Sequence, residues 1–106
     1  MASAPEYDVH AAFDVMVEMR DGVRLATDIY RPVDPETGEV VDEPLPALLD
    51  RTPYDKRSNL ERHGEWFASR GYVVAIQDVR GRFESEGEFF IFVDEAEDGY
   101  DTVEWL

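Results

Sequence analysis

A strand, a helix and a second strand follow one another within residues 47–76, and this succession constrains the fold most. The first strand is a short buried segment at 47–50, and the second is a continuous apolar run at 72–76, typical of a parallel strand covered on both faces. The segment 58–61, "SNLE", fits a capping box at a helix start, and Gly71 is placed to end the helix. Small or apolar residues recur between them at helical spacing, namely Leu60, Gly64, Phe67 and Ala68. The pattern predicts a βαβ unit and therefore an α/β protein.

Two alternating apolar runs, at 13–19 and 23–29, precede this unit. Asp21-Gly22 stands between them and indicates a tight turn, so an antiparallel hairpin is expected to open the fold. Residues 32–46 combine prolines, acids and a Thr-Gly pair, which favours a second hairpin tip or a surface excursion. A glycine-containing loop follows the βαβ unit at 78–90. A final helix is then predicted with acids on one face and apolar residues on the other: Ala96, Tyr100, Val103 and, as an extension, Leu106.

Charge and composition exclude several classes of function. The chain of 106 residues has 25 acidic and ten basic side chains, a net charge of −15, which disfavours nucleic acid and anionic membranes as partners. Acidic excess with a single lysine, Lys56, would suit a medium of high salt. The absence of cysteine excludes disulfides, thiol nucleophiles and zinc–thiolate sites.

The sequence shows no sign of a cofactor or of a membrane segment. Gly81 and Gly87 do not have the spacing of a nucleotide-binding glycine motif, and no cofactor is expected. The N-terminus lacks the basic and apolar regions of a signal peptide, and no segment approaches the roughly 18 apolar residues of a membrane span. A soluble, cytoplasmic protein is therefore expected.

Two segments resemble functional motifs without meeting their requirements. Ser85 lies in "FESEG", but Phe83 occupies the first glycine position of a nucleophile elbow and no helix follows, so a structural loop serine is favoured. The run "DEAEDGYDTVEW" has Ala96 and Trp105 where a calcium loop needs ligands. A solvated helix face is favoured there.

The histidines and tryptophans also have ordinary interpretations. His10 falls in the predicted N-terminal tail and His63 in the predicted first helix, and neither has a serine on an elbow as a partner. Surface or packing roles are expected for both. Trp66 and Trp105 are expected to pack in the core or to cover a helix.

Tyr54, in "RTPYDK", has a more informative position. It follows the first strand of the βαβ unit, and ligands of parallel sheets bind at the carboxyl ends of the strands. The turn from the third strand into the first helix is where α/β-hydrolases place part of the oxyanion hole, and a phenol can donate a hydrogen bond to a developing oxyanion. The alternative is a tyrosine that packs over the loop.

Four segments in order, "MRDGVRLATDIYRP", "RTPYDK", "FASRGYVVAIQDVRGRFESEGEF" and "DEAEDGYDTVEWL", resemble the N-terminal part of the cocaine-esterase and X-Pro dipeptidyl-peptidase family of serine hydrolases. The match runs from Val15 to Leu106. It implies an incomplete α/β-hydrolase fold and cleavage of ester or amide bonds, X-Pro dipeptidyl bonds among them, through an acyl-enzyme. The family's tyrosine in the motif that reads "RTPYDK" here supplies its phenol to the oxyanion hole, which implies that role for Tyr54. Asp78, Arg80 and Gly81 match the family's loop after the fourth strand, where loop architecture is expected.

In this family the serine, acid and histidine of the triad come after the part that corresponds to Leu106. Residues 1–106 are therefore expected to form the N-terminal segment of a catalytic domain, inactive alone, whose complete enzyme acts on a small ester, amide or peptide. In the hydrolase strand order the third strand also pairs with a fifth, so its edge is expected to be open and prone to self-association or to pairing with the remaining portion. The alternative is a non-catalytic fragment or binding module that associates through that edge.

Overall fold

The computed structural model describes residues 6–57, 61–88 and 95–106. The elements along the chain are β1 (Asp8–Glu18), β2 (Arg24–Val33), β3 (Ala47–Thr52), α1 (Glu61–Ala68), β4 (Val73–Asp78) and α2 (Glu95–Trp105). The four strands form one sheet in the order β1-β2-β4-β3. β1 pairs with β2 and β2 with β4 in antiparallel fashion, whereas β3 and β4 are parallel. The predicted hairpin, βαβ unit and α/β class are confirmed.

The hairpin strand β1 begins earlier than the apolar alternation indicates, because a bulge interrupts its period. Ala12 pairs with Ile29 and Val15 with Thr27, so two residues of β1 oppose one of β2. Asp14, within the bulge, has a left-handed φ of 53°. A bulge shifts the side chains beyond it to the other face, and the first half of the strand therefore escapes a period-two pattern. The placement of His10 in a tail is wrong: it is an exposed residue of β1.

The face of the sheet that meets α1 holds one apolar cluster, formed by Tyr30, Ala68, Val74 and Ile76. Gly64 of α1 lies against the Tyr30 ring so closely that a Cβ built on it would be 2.6 Å from Cδ2 of the ring. Gly71 ends the helix region with a φ of 98° and donates to the Ala68 carbonyl. The proposed capping box includes residues 58–60, which lie outside the described residues.

The apolar face predicted for α2 is wrong, because the helix turns a polar face to the sheet. Tyr100 and Val103 are 61% and 58% exposed, whereas Asp98 and Thr102 are fully buried. The side chain of Ala96 lies outside the described residues, and Leu106 follows the helix and is exposed. The prediction that the acidic residues of this helix are solvated is also wrong for Asp98, because its side chain is buried.

A polar row on the sheet explains this orientation of α2. Arg51, Gln77 and Thr27 are register partners across β3, β4 and β2. Arg51 Nε donates to Gln77 Oε1 at 2.7 Å, and Gln77 Nε2 donates to Thr27 Oγ1 at 3.0 Å. The Thr102 hydroxyl, with Gln77 Oε1 3.1 Å away and the Asp98 carbonyl 2.8 Å away, joins the helix to this row. Buried polar groups need such partners, so the polar face of the helix packs inward.

Both tryptophans and the loop before β3 lie at the surface. Trp66 and Trp105 are both partly exposed, and the Arg70 guanidinium lies 3.7 Å above the Trp66 ring. Val40 forms an isolated antiparallel bridge with Val33, and the Val41 amide donates to the Pro32 carbonyl, so the loop before β3 begins with the second hairpin tip. None of the helices in the described part of the chain is long and apolar enough to cross a membrane.

Candidate active site

The turn that carries Tyr54 follows the parallel pair of strands. β3 and β4 end side by side, with Thr52 opposite Asp78. The Tyr54 amide donates to Thr52 Oγ1 at 3.0 Å, and its side chain is 77% exposed. The phenol therefore stands in solvent beyond the carboxyl ends of the two strands, and the alternative of a tyrosine packed over the loop is not supported.

The loop after β4 holds the other side of this turn. The Val79 amide donates to the Thr52 carbonyl at 3.0 Å, which extends the pairing of β3 and β4 by one step. Arg82 Nε donates to the Pro53 carbonyl, also at 3.0 Å. The backbone on the N-terminal side of Tyr54 is thus fixed by three hydrogen bonds.

A buried ammonium holds the C-terminal side of the turn. Lys56 is 1% exposed, and its amide donates to Asp78 Oδ1 at 2.9 Å. Its Nζ lies 2.7 Å from Asp14 Oδ1, 3.2 Å from Asp78 Oδ2 and 3.8 Å from Asp28 Oδ1. We call Lys56 with Asp14, Asp28 and Asp78 the ammonium cluster.

The ammonium of Lys56 is stably charged in this cluster. Burial acts most strongly and lowers the pKa of Lys56, but the hydrogen bond to Asp14 and the attraction of Asp78 and Asp28 together outweigh it and raise that pKa. The hydrogen bond with Lys56 is also the main reason that the pKa of the Asp14 carboxyl is lowered. Both partners therefore remain ionised around neutral pH.

Arg57 extends the cluster toward the surface. Its Nε lies 3.1 Å from Asp28 Oδ2, and its Nη2 lies 2.7 Å from Asp14 Oδ2. The Arg57 amide also donates to Asp55 Oδ1 at 3.1 Å, which closes an Asx turn around the left-handed φ of 82° at Asp55. The hydrogen bonds that Arg57 donates to Asp28 and Asp14 raise the pKa of Arg57 above its usual range.

Asp78, Arg80 and Gly81 have the architectural contacts expected of them. The Asp78 carboxylate accepts the Lys56 amide, and its carbonyl accepts the Ser85 hydroxyl at 2.6 Å. Arg80 binds Asp98 of α2 through Nε and Nη2, at 3.0 and 2.7 Å, and the hairpin residue Asp21 through Nη1 at 2.8 Å. Gly81, with a φ of 74°, donates to the Glu86 carbonyl.

Ser85 is a structural loop serine, as expected. Its buried hydroxyl accepts the Ala26 amide at 2.8 Å while it donates to the Asp78 carbonyl. Both hydrogen-bonding functions of the hydroxyl are therefore engaged. His63, in α1, is exposed and consistent with a surface role.

The sequence did not point to the ammonium cluster. Asp28 stands in an apolar strand and Lys56 is the single lysine, and each is a weak signal by itself. The bulge that brings Asp14 to Lys56 is invisible in the sequence pattern. Within the described ranges, no group of three or more carboxylate, histidine or cysteine side chains could hold a metal ion.

Comparison with known proteins identifies the family of the chain. Residues 21–106 match the model of the X-Pro dipeptidyl-peptidase (S15) family. The chain belongs to this family. The resemblance to its N-terminal part is thereby confirmed, and the four-stranded sheet is part of an α/β-hydrolase fold.

Individual relatives are esterases and peptidases. The chain is 48% identical over 100 residues to the cocaine esterase of Rhodococcus sp. (strain MB1 Bresler), a match that covers 90% of this chain and 16% of that protein. An α-amino acid ester hydrolase has a solved structure that is similar with a TM-score of 0.73 at 32% identity, over 100% of this chain and 20% of that one. The structure of an aminopeptidase from a marine sediment Thaumarchaeota archaeon is similar with a TM-score of 0.71 at 28% identity, and the match covers 100% of this chain and 20% of that one. The chain therefore spans about a fifth or less of these relatives.

Proposed function

We propose that this chain is the N-terminal segment of the catalytic domain of a serine hydrolase that cleaves ester or amide bonds, X-Pro dipeptidyl bonds among them, through an acyl-enzyme. The substrate is a small ester, amide or peptide. The observation that supports this proposal best is the exposed Tyr54 phenol beyond the carboxyl ends of β3 and β4, on a turn whose backbone is fixed on both sides. Membership of a family of esterases and peptidases supports the reaction class.

In this proposal the Tyr54 phenol donates a hydrogen bond to the oxyanion of the tetrahedral intermediate. The second donor is the backbone N–H of the residue after the nucleophilic serine. Because charge develops on the carbonyl oxygen only as the serine attacks, such a donor lowers the barrier more than it strengthens substrate binding. One donor of this kind contributes about 10²–10³ to kcat, or about 2.7–4 kcal/mol.

The test is Tyr54→Phe in a complete enzyme that joins residues 1–106 to the part of the family that carries the triad. We expect kcat to fall by about 10²–10³ with little change in KM. Tyr100→Phe is the matched control, because Tyr100 is also an exposed tyrosine but lies on α2. An unchanged kcat for Tyr54→Phe would show that the phenol does not stabilise the oxyanion.

A second candidate function is a non-catalytic module that associates through the open edge of its sheet. Two observations favour it: β3 has β4 as its one neighbour among the described strands, and α2 exposes Tyr100 and Val103. Hydrolysis of p-nitrophenyl acetate, measured for the chain alone and with the triad-bearing portion added, separates the two candidates. Activity that requires the added portion supports the hydrolase segment, and association without activity supports the module.

A further inference from the structure

We propose that Lys56 is a positioning residue for the Tyr54 phenol, because its buried ammonium ties the turn that carries the phenol to the end of β4. This inference rests on the proposed oxyanion role of Tyr54. Lys56 itself is fully buried, so the proposed role is positioning and not contact with the substrate.

The contacts of Lys56 concentrate on one carboxylate. Its backbone amide and its Nζ contact the two oxygens of Asp78, at 2.9 and 3.2 Å. Asp78 is the last residue of β4, directly opposite Thr52, which binds the Tyr54 amide. The segment between residues 52 and 56 is thus held to adjoining strand ends on both sides, and Tyr54 lies at its centre.

Stability alone is a poor explanation for this arrangement. Burying an ammonium is unfavourable unless its partners are well placed, and apolar side chains of similar volume often stabilise a fold equally well. Ion pairs differ from apolar packing in being directional. Asp14, which contacts the ammonium, and Asp55, which precedes Lys56 in the chain, both have a left-handed φ, so the backbone adopts uncommon conformations close to these contacts.

Arg57 shares the Asp14 and Asp28 carboxylates with Lys56, and the contact with Asp78 is what separates the role of Lys56 from that of Arg57. The side chain of Arg57 is 36% exposed. The contacts of Arg57 join the bulge of β1 to β2, whereas Lys56 joins both of these to the end of β4 beside the turn of Tyr54.

The expected effect follows from the sensitivity of catalysis to position. A displacement of about 1 Å in a catalytic group costs about 10²-fold in rate. Lys56→Met, which keeps an unbranched side chain one atom shorter and removes its charge, should therefore lower kcat by about 10- to 100-fold and leave KM within about twofold.

A double-mutant cycle with Tyr54→Phe in the complete enzyme tests the proposal. If Lys56 acts through Tyr54, adding Lys56→Met to Tyr54→Phe should change kcat by less than about twofold, since the positioned group is already gone. If the two substitutions lower kcat by independent factors that multiply in the double variant, or if Lys56→Met has a normal kcat, the positioning role of Lys56 is refuted. The oxyanion role of Tyr54 is unaffected by either result. If Tyr54→Phe alone leaves kcat unchanged, the proposed function fails and the positioning role fails with it.

Two further variants distinguish positioning from loss of folding. Val17→Ala removes buried methyl groups at the hairpin end of the sheet, where Val17 packs with Met19 and Leu25. Even if Val17→Ala lowers the melting temperature as much as Lys56→Met does, it should leave kcat unchanged. Asp78→Asn keeps an acceptor for the Lys56 amide but weakens the contact with the ammonium, and it takes the place of Lys56→Met in the same cycle if that variant does not fold. Additive effects of Asp78→Asn and Tyr54→Phe would refute the proposal.

Discussion

Replacing Gly64 by alanine tests the close packing of α1 on the sheet, which positions the segment that follows Tyr54. Alanine is the better helix former by about 1 kcal/mol, so helix propensity alone predicts that the substitution stabilises the chain. The new Cβ, however, would lie 2.6, 2.7 and 2.9 Å from three atoms of the Tyr30 ring. Carbon atoms normally pack about 3.5–4.0 Å apart, so the overlap is about 1 Å.

The overlap is expected to outweigh the gain in propensity. The Tyr30 ring is fully buried in the cluster with Ala68, Val74 and Ile76, and it packs edge-on against Phe13 with 6.3 Å between ring centroids. Because the ring has no free space, either α1 or β2 must shift. Overpacking of this kind costs up to about 3 kcal/mol, so the net loss in the free energy of unfolding should be about 2 kcal/mol.

Gly99→Ala is the matched control, because Gly99 lies inside α2 and a Cβ there would meet nothing within 4 Å. That substitution should stabilise the chain by about 0.5–1 kcal/mol. Urea denaturation followed by circular dichroism measures both variants. Tyr30→Leu should relieve much of the Gly64→Ala penalty, and a Gly64→Ala variant as stable as Gly99→Ala would refute the packing argument.

Three further predictions concern Ser85, acid stability and the sheet edge. Ser85→Ala should lower the free energy of unfolding by about 1–3 kcal/mol, because the buried Ala26 amide loses its acceptor. The same variant of the complete enzyme should still form an acyl-enzyme. Failure to form it would show that Ser85 takes part in the reaction. The pKa of Asp14 is lowered on folding, so its contribution to stability is present above the ordinary value of 3.8 and is lost as the pH falls through the folded pKa. Denaturation at a series of pH values should thus show a shallower loss below pH 3.8 for Asp14→Asn, and parallel curves would contradict this. Analytical ultracentrifugation of the chain alone should show concentration-dependent association through β3, whereas a stable, cooperatively folded monomer would count against it.

Local patterns were sufficient for the elements whose periodicity is simple. Asp21-Gly22 predicts the hairpin, and the apolar run of β4 predicts a central parallel strand. The position of Tyr54 after β3 follows from the same pattern, since the ends of parallel strands determine where a ligand can bind. Its role in the reaction remains a prediction.

The bulge in β1 and the orientation of α2 could not be predicted from periodicity. A bulge is one extra residue whose effect depends on the partner strand, so the register between Ala12 and Val15 carries no local signal. For α2, the spacing of Tyr100 and Val103 indicates an apolar inner face, but Gln77 and Arg51 on the sheet demand polar partners. Tertiary contacts of this kind override amphipathic patterns.

Part of the acidic composition is buried in the folded chain and has a structural role. Asp28, Asp78 and Asp98 are fully buried, and each faces a lysine or an arginine. Their charges organise the loops around the strand ends and do not contribute to a solvated surface. Because salt screens buried pairs much less than exposed ones, the ammonium cluster should persist across salt concentrations that weaken the exposed Arg24–Glu86 pair. Only the exposed part of the acidic excess can therefore reflect an adaptation to salt, whereas the buried carboxylates are explained by the ion pairs that they form with Lys56, Arg57 and Arg80.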